Sequence, residues 1–208
     1  MTLLVLIRHA QNDWVKTGRL AGWTPGVHLN EEGRRQAEAL GERLASAKLQ
    51  AVYSSPLERA VETAEAVVKH YPGLTVQIEE GVGEVAFGGW TGERLRKLRR
   101  RRLWDIVQNY PSGARFPEGE SFRETQNRVI DALERIAQRH PGGKVAVVSH
   151  SDVIKLAVAY YAGIHLDLFQ RLIISPASIS IIGLSRMGPR IIRLNDTAHY
   201  EQARRDRN

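Results

Sequence analysis

Two short runs of consecutive apolar residues place the strongest constraint on how this 208-residue chain folds. The runs cover residues 3–7 and 145–148. Because successive side chains of a strand point to opposite faces of a sheet, an unbroken apolar run predicts a strand that is buried on both faces. Such strands occur mainly in parallel sheets that helices cover on each side. The runs therefore predict an α/β fold, a three-layer α/β/α sandwich with a mostly parallel central sheet.

Strand and helix patterns alternate along the rest of the chain, as this fold class requires. Further strands are predicted at residues 51–54, 76–78, 178–184 and 191–194. Helices are predicted after Asn30, from Pro56 to about His70, over 93–110, after Ser121 and over 152–162. We predict one domain over residues 1–200, with a helical insertion over the active site at about 90–120, followed by a polar tail at 201–208.

Composition narrows the class of protein without choosing a function. The chain has no cysteine, which excludes disulfide bonds and thiolate metal sites. Its formal charge of +7 favours anionic partners: nucleic acid, an acidic membrane surface or phosphorylated metabolites. No apolar stretch approaches the roughly 20 residues of a membrane span, and the first apolar run is too short for a signal peptide. We therefore expect a cytoplasmic protein with no membrane partner.

Polar side chains follow three of the predicted strands at the point where each strand ends. Arg8 and His9 follow the first strand, Arg59 lies one helical turn beyond the second, and His150 follows the strand at 145–148. Ligands bind outside the carboxyl ends of parallel strands. If these strands are neighbours, two arginines and two imidazoles converge on a site for a dianionic group such as phosphate. The two arginines would repel a divalent ion, so no metal site is expected.

Several segments, in order along the chain, resemble the motifs of the histidine phosphatase superfamily, which includes the cofactor-dependent phosphoglycerate mutases. The first is Arg8-His9-Ala10-Gln11-Asn12, and the others begin at Gly22, Leu29, Ser54, Glu84, Pro117 and Val147. The resemblance runs from Leu3 to about Asn195. It implies a phosphoglycerate mutase-like fold and a metal-independent phosphomonoester hydrolase that acts through a phosphohistidine on a small phosphorylated metabolite, without a cofactor.

The resemblance also implies a role for individual residues. His9 would be the nucleophile, Arg8, Arg59 and His150 would hold the phosphoryl oxygens, and Glu84 would be the general acid and then the base. The phosphate- and substrate-binding residues that it implies are Arg8, Asn12, Ala21, Gly22, Arg59, Glu84, His150 and Ser151.

Four positions depart from the family pattern. Ala10 and Ser151 stand where glycine is usual, and Asn12 stands where serine or threonine is usual. Val15 replaces an asparagine that contacts the phosphate in many members, and its side chain cannot form a hydrogen bond. These departures bear on phosphate affinity and turnover, and they leave the type of reaction unchanged.

The alternative within the family is a phosphoglycerate mutase-like phosphomutase. A mutase must keep water away from the phosphohistidine, and the glycolytic mutases use a longer chain and a different stretch after the acid. Here Glu84 is followed by Val85-Ala86-Phe87-Gly88 and the chain is short, so hydrolysis is favoured.

Other hypotheses remain open at this point. The run of arginines at 99–102 is either a solvated helix face or a binding site for a carboxylate or second phosphate of the substrate. A basic nucleic-acid-binding protein and an inactive scaffold are two further classes, although no stacking motif accompanies the basic residues, and nucleic acid is not the expected partner. The sequence is compatible with a monomer or a homodimer.

Overall fold

The computed structural model describes residues 1–200, and the tail predicted at 201–208 lies outside the described residues. Six strands form one sheet: β1 (Thr2–Arg8), β2 (Ala51–Ser54), β3 (Val76–Ile78), β4 (Lys144–Ser149), β5 (Ile179–Ser185) and β6 (Gly188–Asp196). The helices are α1 (Asp13–Lys16), α2 (Glu31–Leu44), α3 (Glu58–Val68), α4 (Leu95–Leu98), α5 (Arg102–Asn109), α6 (Phe122–Arg139) and α7 (Ser151–Ala162). Short 3₁₀ helices occur at Glu80–Val82, Gly88–Trp90, Pro111–Gly113 and Leu166–Arg171.

The sheet has the strand order β3-β2-β4-β1-β5-β6. The first four strands in this order are parallel, and β5 and β6 extend the sheet with antiparallel pairing. The predicted mostly parallel sheet is therefore confirmed. The two apolar runs that predicted it are its central strands, since β1 and β4 pair directly from Leu3 against Lys144 to Arg8 against Ser149.

Helices cover both faces of the sheet and give the predicted three layers. On β1, Val5 and Ile7 pack in one cluster with Leu40 of α2 and Ala64 of α3. The alternate residues of the strand belong to the cluster on the other face, which includes Leu133 of α6 and residues of α7. This alternation explains why the strand sequences are apolar at every position.

The prediction of one continuous helix over residues 93–110 is wrong. The segment forms α4 and α5, and Arg101 between them has extended backbone angles. Leu98 is fully buried, and Trp104 stacks on Trp90 with ring centroids 6.2 Å apart. In one continuous helix these two side chains would point about 120° apart. The break allows both to pack against the same core.

Two smaller differences concern the ends of helices. Pro56 lies outside α3, which begins at Glu58 with Leu57 as its N-cap, so the predicted place of Pro56 in the first turn is wrong. The capping box of Ser121 and Glu124 is present at the start of α6. Among the described helices, none combines the length and hydrophobicity needed to cross a bilayer.

Candidate active site

The carboxyl ends of β2, β4 and β1 meet at one edge of the sheet. The backbone pairing continues one residue beyond the strands, where the N–H of His9 donates to the Ser149 carbonyl at 2.9 Å. The N–H of Ser55 donates to the Val148 carbonyl at the same distance. The expectation that these strands are neighbours is confirmed, and their register brings His9, Ser55 and His150 together.

His9 is held with one ring nitrogen free. Its Nδ1–H donates to the carbonyl oxygen of Ala10 at 2.8 Å, and because a carbonyl only accepts, the proton must lie on Nδ1. Burial lowers the pKa of His9 well below its ordinary value, and the charges of Arg59 and Arg8 lower it further. His9 is therefore a neutral imidazole whose Nε2 carries a lone pair.

The ring of His150 lies next to that of His9, with the centroids 5.2 Å apart and the planes tilted by 58°. His150 is fully buried, and its Nε2 lies 2.8 Å from the hydroxyl oxygen of Ser55. Its Nδ1 faces Arg59 at 3.4 Å and a carboxylate oxygen of Glu84 at 3.6 Å. Burial again lowers the pKa of His150, with the charge of Arg59 as the next cause, so this ring is also neutral.

Two guanidinium groups beside the histidines have donors without partners. Arg8 donates from Nη1 to the Ile174 carbonyl at 2.6 Å, and Arg59 donates from Nη2 to the Gly22 carbonyl at 2.8 Å. Within residues 1–200, the Nε of Arg8 and both the Nε and Nη1 of Arg59 are buried without a hydrogen-bond acceptor. The Nδ2 of Asn12 is also buried without a hydrogen-bond acceptor among these residues. Buried donors are nearly always paired in folded proteins, and several cationic and amide donors that line one site suit an anion.

Asn12 and Gly22 owe their places to local backbone geometry. Asn12 is the N-cap of α1, and its side-chain oxygen accepts from the N–H of Val15 at 2.9 Å. This bond fixes the Asn12 side chain, which lines the same cavity as Arg8 and Arg59. Gly22 has a φ of +51°, and a Cβ there would lie 2.9 Å from the Thr91 hydroxyl oxygen, so this position favours glycine. Its carbonyl accepts from Arg59.

The carboxyl group of Glu84 is largely removed from water, with 13% of the side chain exposed. Burial raises its pKa to about 7, and the charge of Asp152 adds to the rise. The charges of Arg59 and Arg8 and the Val85 N–H oppose this shift. Desolvation thus outweighs the opposing charges of the two arginines.

The loop that carries Glu84 is fastened to α6. Arg128 donates to the Glu84 carbonyl at 2.8 Å and to two carbonyls of residues 81–83, while Glu120 pairs with its Nε at 2.7 Å. Trp23 donates from its indole N–H to the same Glu84 carbonyl at 2.6 Å. Sequence reasoning missed these residues because their role depends on the packing of α6 against the loop.

A cavity of about 180 Å³ lies at this edge of the sheet. Its lining includes seven predicted site residues: Arg8, His9, Asn12, Ala21, Arg59, Glu84 and Ser151. His150 and Gly22 are not in the lining, but each contacts Arg59. The lining residues that were not predicted are Trp14, Gly18, Arg19, Leu20, Phe87, Leu95 and Asp152, and Val15 is also present. Two of these had a signal in the sequence, since Asp152 closely follows His150 and Phe87 lies in the segment that begins at Glu84.

The described residues include no group of three or more His, Cys, Asp or Glu side chains placed to share a metal ion. The prediction that no metal takes part concerns the reaction itself, and a chelation experiment is needed to test it.

The family model of the histidine phosphatase superfamily (branch 1) matches residues 4–197. The chain belongs to this superfamily. The predicted family and its phosphoglycerate mutase-like fold are confirmed, and the protein is a phosphatase-type enzyme of the family.

Relatives of this histidine phosphatase include two enzymes with named activities. Phosphoserine phosphatase 1 of Hydrogenobacter thermophilus is 31% identical over 201 residues, which cover 96% of this chain and 94% of the relative. A metal-independent phosphoserine phosphatase of Arabidopsis thaliana is 35% identical over 167 residues, covering 74% of this chain and 66% of the relative.

Among solved structures, YhfR of Bacillus stearothermophilus superimposes with a TM-score of 0.90 at 30% sequence identity. The match covers 96% of this chain and 99% of that structure. The relatives support phosphomonoester hydrolysis as the activity of this family member, ahead of mutase activity.

Proposed function

We propose that the cavity hydrolyses a small phosphate monoester through a phosphohistidine on His9. The observation that carries the proposal is the set of buried, unpaired donors of Arg8, Arg59 and Asn12 beside the free Nε2 of a neutral histidine. A phosphoryl group bound there would satisfy these donors and would lie against the nucleophile.

In the first step, the Nε2 lone pair of His9 attacks phosphorus. The N–P bond forms as the bond between phosphorus and the ester oxygen breaks, and Glu84 gives its proton to the departing oxygen. Arg8 and Arg59 balance the charge on the transferred phosphoryl oxygens. His150 is neutral and donates a hydrogen bond to a phosphoryl oxygen from Nδ1, the nitrogen that faces Glu84 and Arg59.

In the second step, water attacks the phosphohistidine and Glu84 takes a proton from that water. The N–P bond breaks, inorganic phosphate leaves, and both His9 and Glu84 return to their starting states. A carboxyl group with a pKa of about 7 suits both steps, because it is able to give and to take a proton near neutral pH.

The size of the cavity supports a small substrate, since about 180 Å³ holds a phosphoryl group and a few further atoms. Because two relatives are phosphoserine phosphatases, phosphoserine is the first substrate that we propose to test. The walls beyond the phosphoryl position are mainly apolar, with Val15, Leu20, Phe87 and Leu95 among them.

The test is a panel of phosphorylated metabolites that includes phosphoserine and 3-phosphoglycerate, with release of inorganic phosphate as the readout. Phosphorus NMR of the 3-phosphoglycerate reaction separates hydrolysis from the mutase alternative, because a mutase yields 2-phosphoglycerate in place of free phosphate. The matched control is His9→Ala. Equal phosphate release by both proteins would overturn the role of His9 as the nucleophile. No release by either protein with any substrate would overturn the proposed hydrolysis and favour the scaffold or nucleic-acid-binding hypotheses.

A further inference from the structure

A second cavity, of about 450 Å³, lies beside the proposed catalytic cavity. We call it the basic groove, and it is lined by Arg19, Gly92, Glu93, Arg94, Arg96, Lys97 and Arg100. Five of these seven residues carry a permanent positive charge, and one is acidic. Neither the proposed reaction nor the family assignment gives the groove a role.

The two cavities have a common border, because Arg19 lines both of them and neighbouring residues of the same segments line one or the other. Residues 18–20 pair with residues 92–95: Leu20 N–H donates to the Glu93 carbonyl at 2.9 Å, and Leu95 N–H donates to the Gly18 carbonyl at 2.9 Å. Leu95 points into the catalytic cavity, while its two neighbours line the basic groove. Arg19 lines both cavities, so a ligand in the groove would sit against the wall of the catalytic cavity.

The positive charge of the groove is largely uncompensated. Its single carboxylate, Glu93, is already held by Lys97 at 2.7 Å and lies 3.8 Å from Arg101. Within residues 1–200, no carboxylate lies within 4.0 Å of the four remaining guanidinium groups, which belong to Arg19, Arg94, Arg96 and Arg100. Like charges gathered around one concave site raise its affinity for anions.

The break between α4 and α5 separates the members of the arginine run at 99–102. Arg99 lies over the ring of Trp104 at 5.8 Å, Arg101 turns toward Glu93, and Arg100 lines the basic groove. The run is therefore neither a uniform solvated face nor a single cluster. Of its four arginines, Arg100 lines the basic groove together with Arg19, Arg94, Arg96 and Lys97.

We propose that the basic groove is a second anion site that binds a small molecule with several phosphate groups. Guanidinium groups bind phosphate through paired N–H donors, and four of them match a ligand with more than one phosphate. A concave volume of about 450 Å³ has the size of a small-molecule site, which favours such a ligand over a nucleic-acid strand. The ligand is either a second phosphorylated end of the substrate or a separate molecule.

Binding is tested by calorimetric titration with inorganic tripolyphosphate, with orthovanadate present to occupy the catalytic cavity. The double variant R96E/R100E should lose affinity at least about tenfold, because it replaces two attractive charges by two repulsive ones. The control R186E/R190E makes the same charge change at exposed arginines near β6 and should bind like the wild type. Circular dichroism and the melting temperature verify that all proteins are folded.

A separate vanadate titration reports on the catalytic cavity, so failure of the proposed reaction and failure of the groove proposal are distinguishable. Equal affinity of the wild type and R96E/R100E, or equal loss in both double variants, would refute the groove as a site. Tighter binding of a DNA oligonucleotide than of tripolyphosphate would also refute it and would indicate a nucleic-acid surface instead.

Kinetics identify the source of the ligand. If the groove holds a second end of the substrate, R96E/R100E raises KM for a bisphosphorylated substrate and leaves KM for p-nitrophenyl phosphate unchanged. If the ligand is a separate molecule, tripolyphosphate changes the rate of p-nitrophenyl phosphate hydrolysis without competing for the catalytic cavity, and this effect is lost in R96E/R100E.

Discussion

The Nε2 atom of His150 lies 2.8 Å from the hydroxyl oxygen of Ser55, and both side chains are buried. Ser55 also lies 3.4 Å from the N–H of Leu57, which uses its oxygen as an acceptor. If the Ser55 proton points at Nε2, the His150 proton lies on Nδ1, the nitrogen that faces Glu84 at 3.6 Å and Arg59 at 3.4 Å. In a neutral imidazole, this choice of tautomer decides whether His150 donates a hydrogen bond to the phosphoryl group.

The first prediction is that Ser55→Ala reduces the Nδ1–H tautomer of His150 and slows phosphoryl transfer. Nitrogen-15 NMR of the His150 ring measures the tautomer, and single-turnover kinetics measure the transfer. The matched control is Ser54→Ala, since this buried hydroxyl donates to the Ser55 carbonyl at 2.8 Å and does not contact His150. Both variants should lose about 1–3 kcal/mol of stability, but only Ser55→Ala should change the tautomer. An unchanged tautomer in Ser55→Ala would rule out this positioning role.

The second prediction is that His9 carries the phosphoryl group during turnover. Rapid quenching during turnover of a substrate that the enzyme hydrolyses should trap a phosphoryl group on the protein. This group should be labile in acid and stable in base, and peptide mapping should locate it on His9. His9→Ala should abolish both the label and turnover, while His70→Ala, which changes an exposed histidine, should retain both. Label on a serine or an aspartate would contradict the mechanism.

The third prediction tests the role of Glu84 as the general acid by comparing substrates with different leaving groups. Glu84→Gln should slow phosphoryl transfer from an alkyl phosphate by roughly 10²- to 10⁴-fold, the usual effect of a lost general acid. Transfer from an activated aryl phosphate should be slowed far less, because that group leaves without a proton. Burst kinetics isolate the transfer step from hydrolysis of the phosphohistidine, and Glu80→Gln on the same loop is the control. The same loss with both substrates would assign the acid to another residue, such as Glu79 or Glu93.

The fourth prediction concerns the dependence of stability on pH. In the folded protein the pKa of Glu84 is raised from an ordinary value of 4.5 to about 7. Between these values the folded state keeps a proton that the unfolded chain releases, so the contribution of Glu84 to stability falls as pH rises through about 7. Denaturant unfolding of the wild type and Glu84→Gln should show the variant gaining relative stability from about pH 4.5 to about pH 8. A constant difference across this range would show that burial does not control this carboxyl group.

The fifth prediction is that exhaustive chelation leaves activity unchanged. Arg8 and Arg59 occupy the positions around the two histidines where a divalent ion would need anionic ligands. Orthovanadate should inhibit competitively, because it adopts the five-coordinate geometry of phosphoryl transfer. Loss of activity in chelator that is restored by zinc or magnesium would disprove the metal-independent reaction.

The sequence predicted the fold and the convergence of the charged residues because both depend on local patterns. An unbroken apolar strand such as β1 has few possible environments, and the polar residue that ends it must lie at the sheet edge. The adjacency of β1, β4 and β2 then brings His9, Arg59 and His150 together.

Other features of the site depend on contacts between distant segments and could not be predicted in this way. Arg19 and Leu95 reach the cavity only because residues 18–20 pair with 92–95. The break before α5 allows the buried Leu98 and the partly buried Trp104 to pack against the same core, which the helical spacing of apolar residues does not reveal. The direction of the Glu84 pKa shift depends on how completely burial removes water.

The hydrogen bonds from Arg128 to the Glu84 loop connect the proposed acid to α6, while the proposed nucleophile follows a strand of the sheet. His9 follows the central strand β1, whereas the carbonyl of Glu84 accepts a hydrogen bond from Arg128 of α6. Leu6 of β1 and Leu133 of α6 are buried in the same core, so the packing of this core supports both proposed groups. A substitution that changes the volume of this core would therefore change the distance between the Glu84 carboxyl group and the leaving oxygen. Turnover would then depend on core residues that do not line the cavity.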